Sequence, residues 1–155
     1  MIKLDKIDHA ILDTLQKQGK LSNVELAEIV GLSESACLRR VKNLHEKGVV
    51  THYAAHLDAK AIGLPGTVFV RVSLEKQQEE RLNAFEEAVK DVPEVMECYL
   101  MGGDVDYMIR VVVKDAPDYE RVHNILTRLP GVARVHSSFA LRTVLKRTRL
   151  PLQKS

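Results

Sequence analysis

Long hydrophobic runs are missing from this sequence. No segment reaches the roughly 20 apolar residues that a membrane span requires. Its opening, MIKLDKIDHAIL, carries a charge every few residues, so it reads neither as a span nor as a secretory leader. Cysteine is scarce as well. Cys37 and Cys98 are the only two, far apart and in different predicted elements. That favours two buried thiols in a reducing cytoplasm over a disulfide. There is no cysteine pair at metal-binding spacing, no phosphate-cradling glycine loop and no nucleophile motif. His52 and His56 stand four apart, but their segment reads as strand and loop, so they need not share a face, and no metal site is expected. A strong charge of either sign is also lacking. With 23 basic and 21 acidic side chains the net charge is +2, which by itself says little about nucleic acid.

What is present is organised. At 155 residues, 45% hydrophobic and 28% charged, the chain has material for one ordinary domain or two small ones. Its charge is unevenly spread. Residues 57–141 are acid-rich, whereas Arg142, Lys146, Arg147, Arg149 and Lys154 form a basic tail without an acid. Leu64-Pro65-Gly66 marks a boundary. The expected division is a first domain over 1–50, a linker strand over 51–65, and a second domain with the tail over 66–155.

In the first third, Leu4, Ile7, Ile11 and Leu15 recur at helical spacing until Gly19, predicting a helix over about 5–18. Ser22 precedes Asn23-Val24-Glu25, a capping-box pattern that satisfies free amides at a helix start. The second helix runs to about Val30 and buries Leu26, Ala27 and Val30. Gly31 then supplies a reversal that needs positive φ. Ser33 caps a third helix that ends near Gly48.

On that third helix Cys37, Val41 and Leu44 form one apolar stripe, with Leu38 at its edge. Ser35, Arg39, Lys42 and Asn43 point the other way, with Arg40 and Lys47 on a flank. Any amphipathic surface helix can carry arginines. The ordered set of Ser22, Ala27, Gly31, Ser33, stripe and Gly48 is far more specific and spells a helix-turn-helix. The candidate DNA contacts are Ser33, Glu34, Ser35, Arg39, Arg40, Lys42 and Asn43. Arg39 is placed to read guanine edges, and Lys42 or Arg40 to hold phosphates of double-stranded DNA. Residues 49–57 favour strand, as a wing or a lead into the next domain.

Beyond the boundary Val68, Val70, Val72 and Leu74 alternate with Thr67, Phe69, Arg71 and Ser73, as in a half-buried strand. Leu82, Phe85, Val89 and Val92 mark a helix face. Strands follow over about 95–101 and 106–113, joined through Gly102-Gly103-Asp104. A second helix over about 118–129 buries Tyr119, Val122, Leu126 and Leu129, and a long last strand covers about 132–145. The two helices leave through Val92-Pro93-Glu94-Val95 and Leu129-Pro130-Gly131-Val132, a weak internal repeat. Two strand–helix–strand halves give β-α-β-β-α-β, the ferredoxin-like arrangement, with both helices on one sheet face. The fold class is therefore α+β. The other sheet face, left uncovered with apolar side chains on it, predicts an assembly of at least two copies.

The segment LSNVELAEIVGLSESACLRRVKNLHEKGVV, the Glu97-Cys98 to Gly103-Asp104-Val105-Asp106-Tyr107 stretch and the ending SSFALRTVLKRTRLPL together resemble the Lrp/AsnC family of leucine- and asparagine-responsive regulators. The resemblance covers nearly the whole chain. It implies a transcription regulator that pairs its sheets in a homodimer, commonly assembles into octamers, and binds an amino acid between subunits near the G-D-x-D-Y loop. The implied effector residues are Met101, Gly102, Gly103, Asp104, Asp106, Tyr107, Ser137 and Ser138. Local chemistry agrees: Gly102 and Gly103 let backbone amides approach a carboxylate, and Asp104 or Asp106 suits an ammonium group. Tyr107 fits a core position better than a contact. No cofactor beyond such an effector is implied.

Two other classes compete. Some haem-pathway decarboxylases resemble this family in fold, and His123, His136 and Arg110 are available here, but they form no recognisable catalytic spacing. An enzyme is not expected. The other class is a DNA-organising protein that needs no effector.

Overall fold

The computed structural model describes residues 2–152; Lys154 of the basic tail therefore lies outside the described residues. Two compact units emerge, one comprising Met1–His56 with Leu145–Ser155 and the other Leu57–Val144. The chain thus passes between them twice. Residues 145–152 of the tail, expected to belong with the second domain, fall in the first unit.

In the first unit the helices are α1 (Lys6–Lys17), α2 (Asn23–Val30) and α3 (Glu34–Glu46). Each start is capped by a side chain. Asp5 accepts from the N–H groups of Ile7 and Asp8, Ser22 accepts from Glu25, and Ser33 accepts from Ala36. Gly31 ends α2 at φ 70°, where a β-carbon would be strained, and Leu32 N–H closes the turn on the Ala27 carbonyl. Ile11, Leu12, Leu26, Ala27, Cys37, Val41 and Leu44 make the core. The strand expected over 49–57 is not formed; those residues have no ladder partner among the described residues. Strand propensity alone cannot hold an extended segment without a neighbour to pair with. Leu152 of the tail packs against this core, Arg149 pairs with Asp13, and Gln16 exchanges two hydrogen bonds with the backbone of Leu150.

The second unit contains β1 (Gly66–Leu74), α4 (Glu79–Val89), β2 (Val95–Leu100), β3 (Tyr107–Val113), α5 (Ala116–Leu126) and β4 (Val132–Phe139). All neighbours are antiparallel in the order β2-β3-β1-β4. This is the expected β-α-β-β-α-β arrangement. The last strand stops at Phe139, short of the expected 145. Val68, Val70, Val72, Ile109, Val111 and Val113 pack with Phe85, Val89, Val122 and Leu126 of the two helices. Gly66 is needed for close approach: a β-carbon there would meet Val113 Cγ2 at 2.7 Å and its carbonyl oxygen at 2.9 Å. The opposite sheet face carries Phe69, Arg71, Met108, Arg110, Glu97, Tyr99, His136 and Ser138 in mutual register. Neither helix covers it. Cys37 and Cys98 are both free thiols, and burial, with help from Glu86, pushes Cys98 up to about 11. It therefore stays protonated at neutral pH. No helix among the described residues is long and apolar enough to cross a membrane.

Candidate nucleic-acid interface and ligand loop

The α3 sequence divides its side chains as the 3.6-residue period requires. Cys37, Val41 and Leu44 are buried, while Ser35, Arg39, Lys42 and Asn43 are exposed. Lys42 is 75% exposed and its ammonium stands 3.8 Å from Glu46, too loose a pairing to withhold it from a phosphate. Arg39 makes no ion pair among the described residues. Leu38, at the stripe edge, is half exposed beside it. Ser33 and Glu34 lie at the helix start; the Ser33 hydroxyl is engaged as the cap, 3.4 Å from Ala36 N. Backbone amides at such a start, carrying the positive end of the helix dipole, suit a phosphate.

Arg40 differs from the phosphate contact expected of it. Its guanidinium turns to α1, with Nη1 2.7 Å from Asp5 and 2.8 Å from Asp8. Asp5 and Asp8 were not anticipated as members of this region. The Asp-x-x-Asp spacing signals a helix cap, but nothing local signals that its spare oxygens reach another helix.

The loop between β2 and β3 exposes Met101, Gly102, Gly103 and Asp104. Gly103 adopts φ 144°. Asp106, expected as an effector contact, and Tyr107, expected in the core rather than at the contact, both point into their own subunit. Asp106 is 6% exposed. One carboxylate oxygen accepts the Leu74 N–H at 2.6 Å and the other the Gln77 amide at 2.5 Å. A register shift at Ser73/Leu74 interrupts the ladder, and the carboxylate bonds the amide next to the break. Tyr107 stacks on Phe85 with ring centroids 4.5 Å apart, and its hydroxyl donates to Glu86 at 2.8 Å. Burial, then the Glu86 bond, raises its pKa well above the ordinary phenol value. The second acid and the tyrosine of G-D-x-D-Y thus anchor the loop that the two glycines and the first acid expose. Gln77 and Glu86 complete this anchor, and their spacing gives no sign of it.

Ser137 and Ser138, both named as polar contributors to the effector site, occupy opposite faces of β4 because neighbouring strand residues alternate. Ser137 faces the helices and hydrogen-bonds the Tyr119 hydroxyl, whereas Ser138 shares the open face with Phe69. Ser138 is in register with Phe69 and so with Arg110, three rungs from Tyr107, about 10 Å along the strands from the loop's root. Within one subunit the serines and the loop are not brought together. Nor do His123, His136 and Arg110 converge. His123 lies by Tyr119 on the helical side, while His136 and Arg110 are on the open face, Arg110 paired with Glu97 at 2.6 Å. Among the described residues no group of three or more potential metal ligands gathers.

A domain family described as "Lrp/AsnC ligand binding domain" matches residues 67–150, and one described as "Winged helix-turn-helix DNA-binding" matches residues 4–51. The chain belongs to the Lrp/AsnC family. A Bkd operon transcriptional regulator from Pseudomonas aeruginosa is 48% identical over 98% of this chain and 100% of its own. The leucine-responsive regulatory protein of Escherichia coli is 36% identical over 97% of this chain and 92% of that one. Among solved structures, a transcriptional regulator from Neisseria meningitidis in complex with L-Met superposes with TM-score 0.90 at 38% identity, covering 96% of this chain and 97% of that one. An AsnC family regulator from Agrobacterium tumefaciens gives 0.91 at 37%, with the same coverage. This Lrp/AsnC chain is a transcriptional regulator with an N-terminal DNA-binding unit and a C-terminal ligand-binding domain.

Proposed function

We propose that this regulator works as a homodimer or larger assembly, up to the octamer common in its family. Such an assembly presents two copies of α3 to half-sites about one helical turn apart and responds to an amino acid bound at subunit contacts. One observation supports the DNA reading above others: Arg39, Lys42 and Asn43 stand exposed on one side of α3 while its opposite side fills the core. The uncovered sheet face, with Phe69 42% and Tyr99 56% exposed, favours pairing between copies. The L-Met complex of the Neisseria relative and the leucine-responsive name of the E. coli relative favour an amino-acid effector.

The contacting part of the effector site is the exposed stretch Met101 to Asp104. Glycine amides face the carboxylate and Asp104 the ammonium. Asp106 and Tyr107 hold that stretch in shape. Ser138 joins the site only from a second copy. Effector binding alters DNA affinity through unequal affinity for two arrangements of the assembly.

Gel shift on the gene's own upstream DNA, run with a panel of amino acids, tests this reading. At least one amino acid is expected to change the apparent affinity, and Asp104→Ala to blunt that change without weakening DNA binding in its absence. If no amino acid alters the shift, and none gives heat in calorimetry, the protein is a DNA-organising member that needs no effector.

A further inference from the structure

The clamp between α1 and α3 divides its oxygens completely. Asp5 Oδ1 accepts from the N–H groups of Ile7 and Asp8 at 2.9 and 2.8 Å, and Asp8 Oδ2 from the N–H of Asp5 at 3.2 Å. The two remaining oxygens, Asp5 Oδ2 and Asp8 Oδ1, both receive Arg40. One pair of carboxylates therefore both starts α1 and grips α3. Arg40 and Asp8 are largely withdrawn from solvent, with side chains 29% and 17% exposed.

We propose that Arg40 is a positioning residue of the reading head: the Arg40–Asp5–Asp8 clamp sets the rotation of α3 against α1, and with it the direction of Arg39, Lys42 and Asn43. The inference rests on the reading of α3 as the DNA-contacting helix. Three considerations carry it. The apolar stripe Cys37, Val41 and Leu44 fixes how deeply α3 is buried, but aliphatic contacts are non-directional and tolerate some roll. A guanidinium bonded to two fixed carboxylates is directional. The three groups also sum to one negative charge, so this flank repels phosphate. To reach a phosphate, Arg40 would have to abandon two carboxylates, one mostly buried.

The roles separate in DNA binding, because phosphate contacts position without reading sequence and each one adds to the salt dependence. Affinity for the operator fragment and for unrelated DNA is measured by fluorescence anisotropy across a salt series. The proteins are wild type, Arg40→Ala, Arg40→Lys, the Asp5→Asn/Asp8→Asn double variant, and the triple variant with Arg40→Ala added. Asparagine keeps the helix cap and removes the charge. Circular dichroism confirms folding at the assay temperature. Arg40→Ala is expected to lower the ratio of operator to unrelated-DNA affinity about 3- to 10-fold, with the salt slope unchanged. The double variant should lower the ratio similarly, the triple variant no further than about twofold beyond it, and Arg40→Lys should recover part of the loss.

The opposite pattern overturns the proposal: Arg40→Ala weakening both DNAs equally and reducing the salt slope by about one, with the double variant keeping its ratio. Arg39→Ala and Lys42→Ala run alongside. If these leave operator binding untouched, it is the α3 reading itself that fails, whatever Arg40 does.

Discussion

At the scale of single residues, buried polar groups explain more than exposed ones. Asp106 carries an acid in a nearly closed site, yet both of its oxygens have donors within the subunit. Asp106→Asn retains one acceptor for Leu74 N–H, and a flipped Gln77 amide can bond the new NH2. The account therefore predicts effector affinity within about threefold of wild type for Asp106→Asn and a much larger loss for Asp106→Ala, which leaves Leu74 N–H and Gln77 unpaired; calorimetry distinguishes them. Equal, large losses would make the charge itself a ligand. At Gly66 the constraint is steric. Gly66→Ala forces its β-carbon onto the Val113 side chain and backbone, and urea unfolding is expected to show a loss of about 1–3 kcal/mol. Such roles are hard to read from sequence. The G-D-x-D-Y motif marks the loop but not which of its side chains face outward, because Leu74 and Gln77 are distant in the chain and it is the pairing of β1 with β3, Val72 against Tyr107, that sets the end of β1 beside Asp106.

The elements themselves were largely legible, for local reasons. Every helix of the first unit begins at a side chain that bonds its free amides, and the period-2 pattern of β1 maps directly onto its buried and exposed residues. What failed was what needs a distant partner. Residues 49–57 have strand propensity but nothing to pair with among the described residues, and the tail's return to α1 depends on Asp13 and Gln16, more than 130 positions away. The same caps, together with the ion pairs of Asp13, give the first unit an acid response. Asp8 N–H, then Arg40, holds the Asp5 carboxyl below the ordinary range; Lys17, then Arg149, does so for Asp13, and the Ser22 hydroxyl for Glu25. Groups depressed on folding stabilise fully above their unfolded pKa and lose that contribution as pH falls through the folded value. The thermal midpoint of this unit should therefore be insensitive to these groups above about pH 5 and fall progressively below about pH 4. A midpoint that holds steady to pH 3 would mean that these bonds contribute nothing.

For the whole molecule, the open sheet face and the outward side of α3 are the two surfaces that the proposed function requires. Phe69→Asp replaces an exposed aromatic ring in the middle of the open sheet face, between Arg110 and Ser138, with a charge, and light scattering should then show a smaller assembly than wild type at equal concentration, with the α3 surface intact. Unchanged mass would place the subunit contact elsewhere. The central claim is that the exposed side of α3 reads sequence, and footprinting of Arg39→Ala on the gene's own upstream region tests it most directly. The account predicts a loss of operator protection equivalent to about 10- to 100-fold weaker binding, with assembly size and non-specific retention nearly unaltered. A footprint of wild-type extent and affinity in that variant would contradict it.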